Sequence, residues 1–133
     1  MLLVFFFVCQ NHFGQVLSLE IISDIKSEQK VIDSKKYQKK HLNAKNIIDK
    51  VQQFSNALIT IGYLETEMLH SEKTNDTLYR FQFRLGQFTK FIHIYSDKNS
   101  ALLKFENDTL VMPINEAAAF VQNKLADLEL KGF

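Results

Sequence analysis

Apolar and polar positions alternate most cleanly over residues 77–85. Tyr79, Phe81, Phe83 and Leu85 fall on one side, and Arg80, Gln82 and Arg84 on the other. This period of two predicts a strand with an aromatic face toward a core and a polar face toward water. Upstream, Ile47, Val51, Phe54, Leu58 and Ile61 recur at steps of four and three, one apolar stripe along a helix. Asn43 suits the N-cap of that helix. Gly62 suits its stop, because glycine enters the left-handed conformation without a Cβ clash. Tyr63 then opens a strand through residue 69, and a polar turn over 71–76 leads into the alternating strand. The predicted unit is a helix packed on a small sheet, an α+β arrangement.

The flanking segments extend this pattern. Residues 16–25 alternate Leu17, Leu19 and Ile21 with Ser18 and Glu20, which predicts a first strand. The lysine-rich stretch 26–41 has Val31-Ile32 as its apolar patch, and a short helix is expected at 34–40 with Ser34 as N-cap. After Gly86, residues 88–95 alternate again, with Ile92 and Ile94 against Lys90 and His93. Residues 102–111 fit a helix followed by a short extended piece. Pro113 suits the first turn of a last helix whose stripe is Ala117, Val121, Leu125 and Leu128.

The last helix ends as the earlier one does. Val51-Gln52, Leu58 and Gly62-Tyr63 match Val121-Gln122, Leu128 and Gly132-Phe133 at a constant offset of 70. A fixed period points to repeated units. The first unit would hold strand, helix, strand and strand. The second would hold strand and helix only.

Charge changes the picture locally. The whole chain carries +1, but residues 26–50 hold eight lysines against Glu28, Asp33 and Asp49, a local excess of +5. The bland reading is a solvated face; the sharper one is contact with phosphate or lipid head groups.

Residues 2–9 form an apolar run, and the first charged side chain is Glu20. The run is shorter than the about 20 residues needed to span a bilayer and has the length of a signal-peptide core. Residues 1–14 are read as a signal peptide cleaved after Gly14, with cleavage after Ser18 as the second choice and a buried N-terminal strand as the competing reading. The run holds no Lys or Arg. Cys9, the single cysteine, lies inside it, so no intramolecular disulfide forms. A lipoprotein would need small residues before Cys9, where Phe7-Val8 stand.

No catalytic signature emerges, and no enzyme activity or cofactor is expected. The four histidines lack metal-ligand spacing. Glu65 and Glu67 share one face of the expected strand, where solvated charges guard an edge. Asn75-Asp76-Thr77 and Asn107-Asp108-Thr109 match glycosylation acceptors but fit turns better. The aromatics and arginines of 77–85 lie on opposite faces, unlike an RNA-binding sheet, so no nucleic-acid partner is expected.

The stretches 19–22, 51–63 and 78–94 together resemble a POTRA domain. The chain is similar to the periplasmic part of outer-membrane barrel assembly and translocation proteins of the BamA/TamA type. The resemblance implies a complete POTRA-like module at 15–87 (β-α-α-β-β) and an incomplete second module at 88–133, with the barrel missing, so that the chain would be a piece of a longer protein. It implies a location in the periplasm, associated with the outer membrane. It also implies neighbouring modules, a β-barrel and unfolded outer-membrane or secreted polypeptides as partners. In that topology the strand after the helix lies at the sheet edge. The candidate binding surface is therefore the backbone of Leu64, Glu65, Thr66, Glu67, Met68 and Leu69, acting by strand addition. The alternative is a stand-alone exported α+β protein that binds a small ligand on its aromatic face.

Overall fold

The computed structural model describes residues 14–96, 105 and 109–132. The apolar leader with Cys9, the Asn107-Asp108 pair and most of 97–108 lie outside the described residues.

The elements run β1 (Leu17–Ile22), α1 (Lys26–Ser34), β2 (Lys40–His41), α2 (Ala44–Thr60), β3 (Glu67–Lys73), β4 (Leu78–Arg84), β5 (Phe91–Tyr95), β6 (Thr109–Pro113) and α3 (Ile114–Leu130). The fold is α+β. The first four strands form one sheet in the order β2-β1-β4-β3, and β5 and β6 form a second, two-stranded sheet. β4 is the centre of the larger sheet. It pairs parallel with β1 and antiparallel with β3, which lies at the edge.

Hydrophobic burial sets this arrangement. Leu19 and Ile21 from β1, Phe81 and Phe83 from β4, and Leu85 just beyond it face Ile47, Val51, Phe54 and Leu58 of α2 and Ile32 of α1. Both helices therefore cover the same sheet face. The other face holds ion pairs: Arg80 lies 2.7 Å from Glu20 and 3.3 Å from Glu72, and Arg84 pairs with Glu67. The hydrogen bond from Arg80 to Glu20, then the charges of Glu20 and Glu72, raise the pKa of the guanidinium above its ordinary value.

α2 begins and ends as its sequence demands. Asn43 Oδ1 accepts the Asn46 N–H at 2.9 Å. At the other end the Gly62 N–H reaches the Ile59 carbonyl and the Tyr63 N–H the Leu58 carbonyl, each at 3.0 Å. This pair of bonds is a Schellman closure around a left-handed residue, here Gly62 at φ 120°.

Two expectations are corrected upstream. The first helix spans Lys26–Ser34, so Ser34 ends it instead of capping its start. Ser23 starts it from outside, with its N–H on Gln29 Oε1 and its hydroxyl on Glu28 Oε2, at 2.8 and 2.7 Å. Glu28 is buried and also accepts the Gly86 N–H, which ties α1 to the end of β4. Residues 35–39 cross back to β2, a two-residue strand that the pattern did not reveal. The first strand also stops at Ile22, short of residue 25.

The second unit repeats part of the first. α3 is 17 residues long, as α2 is, and starts and ends 70 positions after it. Each helix follows a strand that returns antiparallel to an earlier one, β2 on β1 and β6 on β5. The two helices differ in cover. α2 buries four apolar side chains, whereas α3 buries none. Val121 and Leu125, on the expected stripe, are 50% and 54% exposed. In native-state hydrogen exchange, amides of 118–130 should open well below the global unfolding free energy, and those of 51–60 should exchange only through global unfolding. Equal protection of the two helices would contradict this difference in cover.

Candidate functional site

The edge strand is the structural feature that best fits a binding role, and it lies further along the chain than the sequence pattern placed it. After the helix stop, the Thr66 N–H and hydroxyl both close onto the Tyr63 carbonyl, at 3.2 and 2.7 Å. Leu64, Glu65 and Thr66 are thereby held in a turn and do not belong to the edge. Glu65 is also not a strand partner of Glu67; its carboxylate accepts the Gln87 N–H at 3.4 Å. Glu67, Met68 and Leu69 lie in β3, which continues through His70, Ser71, Glu72 and Lys73. The segment 71–73 looked like a turn because it is polar. It is a strand because each residue has a cross-strand partner: Ser71 opposite Phe81, Glu72 opposite Arg80, and Lys73 opposite Tyr79. The Lys73 ammonium also sits 5.9 Å from the Tyr79 ring centroid.

The turn after β3 is built by Asn75. Its Oδ1 accepts the N–H groups of Thr77 and Leu78, at 2.9 and 2.8 Å. The Thr74 N–H donates to the Leu78 carbonyl at 2.9 Å. Alternation of an antiparallel ladder from that bond turns the backbone groups of Ser71 and Lys73 away from β4, toward the open side. The pairing shifts between Met68 and His70, so Leu69 is the extra residue of a β-bulge. The bulge brings Glu72 onto the outer face beside Arg80.

All seven residues of β3 are exposed. Alongside it runs an apolar groove of about 120 Å³, lined by Ile48, Val51, Gln52 and Ser55 of α2, Met68 of β3, and Phe81 and Phe83 of β4. Ile48 and Met68 form its lips and are 55% and 49% exposed. Ile48 was missed in the sequence because it lies beside the buried stripe; its signal was an aliphatic residue at an otherwise polar helix position. The aromatic face of β4 is not open to a small ligand. Phe81 and Phe83 lie under α2, and only their edges reach the groove.

The geometry can accept an extended backbone along Ser71 and Lys73 and an apolar side chain between Ile48 and Met68. Among the described residues, no group of three His, Cys, Asp or Glu side chains could hold a metal ion. His41 is buried, but its Nε2 is engaged with the Gln38 carbonyl at 2.8 Å. Among the described residues, no helix is long and apolar enough to cross a membrane.

No family model, curated protein or solved structure matches the chain.

Proposed function

We propose that the chain is a polypeptide-binding module that takes an extended guest segment as an added strand on β3. One observation carries this reading: a fully exposed edge strand runs beside an apolar groove with exposed Ile48 and Met68. Backbone pairing would supply affinity, and the groove would select alternate side chains. The outer face beside β3 carries the paired charges Glu67–Arg84 and Glu72–Arg80. The guest that fits is one whose side chains alternate apolar toward α2 and polar toward that face. Strands of membrane barrels have this alternation. The reading therefore agrees with the POTRA resemblance and with a module that handles outer-membrane or secreted polypeptides in the periplasm.

Proline scanning of β3 tests the proposal. Ser71→Pro removes an N–H that faces the guest and spares the ladder to β4, a position where edge strands tolerate proline. Titration of the labelled chain with a peptide of alternating Val and Thr should shift the amides of 67–73. Ser71→Pro should weaken binding roughly 2- to 10-fold, the worth of about one net hydrogen bond. Glu67→Gln should change affinity less, because the backbone carries the contact. Amides of 67–73 that do not move on titration, or that move as far in Ser71→Pro, would overturn the reading.

A further inference from the structure

A second cavity lies on the opposite flank of α2 and brings together residues that strand addition leaves unused. It has a volume of about 210 Å³ and opens between the 35–37 connection and the C-terminal half of α2. Phe54, Leu58 and Ile61 form its floor with Tyr37, and Lys35, Lys36 and Lys50 stand around it. We propose that it binds a small apolar anion: one carboxylate, sulfate or phosphate group carried on a single ring or a short alkyl chain.

Two independent observations support this. The first is the floor, which is apolar and held in place. The Tyr37 hydroxyl accepts the Ile21 N–H at 3.1 Å, and its ring meets Phe54 edge-on with centroids 5.2 Å apart. Tyr37 is thus fixed between the sheet and α2, and the floor exists before any ligand arrives. The second is the charge. Three lysines line one small cavity with an apolar floor, and none of the carboxylates of the described residues lines it with them. Lys50 donates to the neutral Gln53 Oε1 at 2.9 Å. An acidic group held among these lysines would gain charge-assisted hydrogen bonds. Three of the eight lysines of 26–50 thus line one cavity. The volume falls below the about 300–1,000 Å³ of sites for larger ligands, which limits the apolar part to one ring or a short chain.

Octanoate is the probe, and octylammonium is its charge-reversed control. In a titration of the labelled full chain, octanoate should shift the amides of Lys36, Tyr37 and Ala57, and octylammonium should not. Lys36→Gln combined with Lys50→Gln should weaken octanoate binding about tenfold, as expected for losing two charge-assisted contacts. Ala57→Leu keeps the lysines but fills the cavity from an exposed helix position, and should abolish binding with the spectrum of the buried core unchanged. Vesicles of anionic lipid form a separate arm. If they shift these amides and octanoate does not, the site belongs to a membrane surface and the proposal fails. It also fails if octylammonium moves the same amides, if the lysine variant binds octanoate as tightly as the parent, or if octanoate shifts only the groove beside Met68.

Discussion

Gly62→Ala should destabilise the protein by about 3 kcal/mol or more. Gly62 adopts φ 120°, where side chains with a Cβ are strained by roughly 1–3 kcal/mol. The added Cβ would also collide with the Thr89 carbonyl oxygen and lie 2.9 Å from the Phe88 ring. The first of these neighbours is backbone, and it is held: the Thr89 N–H donates to the Gly62 carbonyl at 2.8 Å. The clash can be relieved only by breaking that link or by unwinding the end of α2. Gly132 provides a control within the same chain. It occupies the matching position after α3 at φ 82°, with nothing within 4 Å of a built Cβ. Gly132→Ala should therefore cost about 1 kcal/mol, the conformational penalty alone. Urea denaturation of both variants decides the matter, and equal losses would mean that the 88–90 segment does not rest on Gly62 in solution.

Leu58→Ala should cost about 3–5 kcal/mol, the range for a fully enclosed leucine whose cavity cannot collapse. Leu58 is 1% exposed and belongs to the cluster with Phe54 and Phe83. Leu128 stands 70 residues later, on a helix with no buried side chain. Leu128→Ala should cost less than about 1 kcal/mol, because water already reaches much of the site. Calorimetric or urea midpoints for the pair compare the same substitution on equivalent turns of two helices. Equal costs would show that α3 shares the core of α2.

The elements that were legible in advance are those in which one force dominates. The stripe of α2 and the alternation of β4 each separate a buried face from a wet one, so their periods fixed both type and orientation. Asn43 and Gly62 marked the ends of α2 by backbone chemistry that needs no tertiary partner. The misplaced elements depend on contacts distant in sequence. α1 presents little apolar surface beyond Val31 and Ile32, and its start is held by Ser23 and by the link from Glu28 to Gly86. The second half of β3 has the composition of a turn and is extended only because Arg80, Phe81 and Tyr79 stand opposite. β3 starts later than the expected opening at Tyr63, because Thr66 folds its hydroxyl and its N–H onto the Tyr63 carbonyl and closes a turn first. Half of the expected edge survived this shift: Glu67, Met68 and Leu69 are in β3, and Leu64, Glu65 and Thr66 are not. The groove beside it was not legible, because Ile48 and Met68 are 20 residues apart and only the fold brings them together.

The bulge at Leu69 bears on how the edge would meet a second copy of itself. A fibre grows when a strand offers the same outward donors and acceptors at a constant spacing, so that each copy templates the next. β3 offers them with one residue inserted, and the spacing on one side of Leu69 is out of step with the other. Two copies meeting edge to edge can satisfy one side at a time, and an uninterrupted foreign strand meets the same limit. Contact is thus confined to a few residues, short enough to dissolve again. An edge interrupted in this way can stay exposed while offering a second copy only a short stretch to pair with.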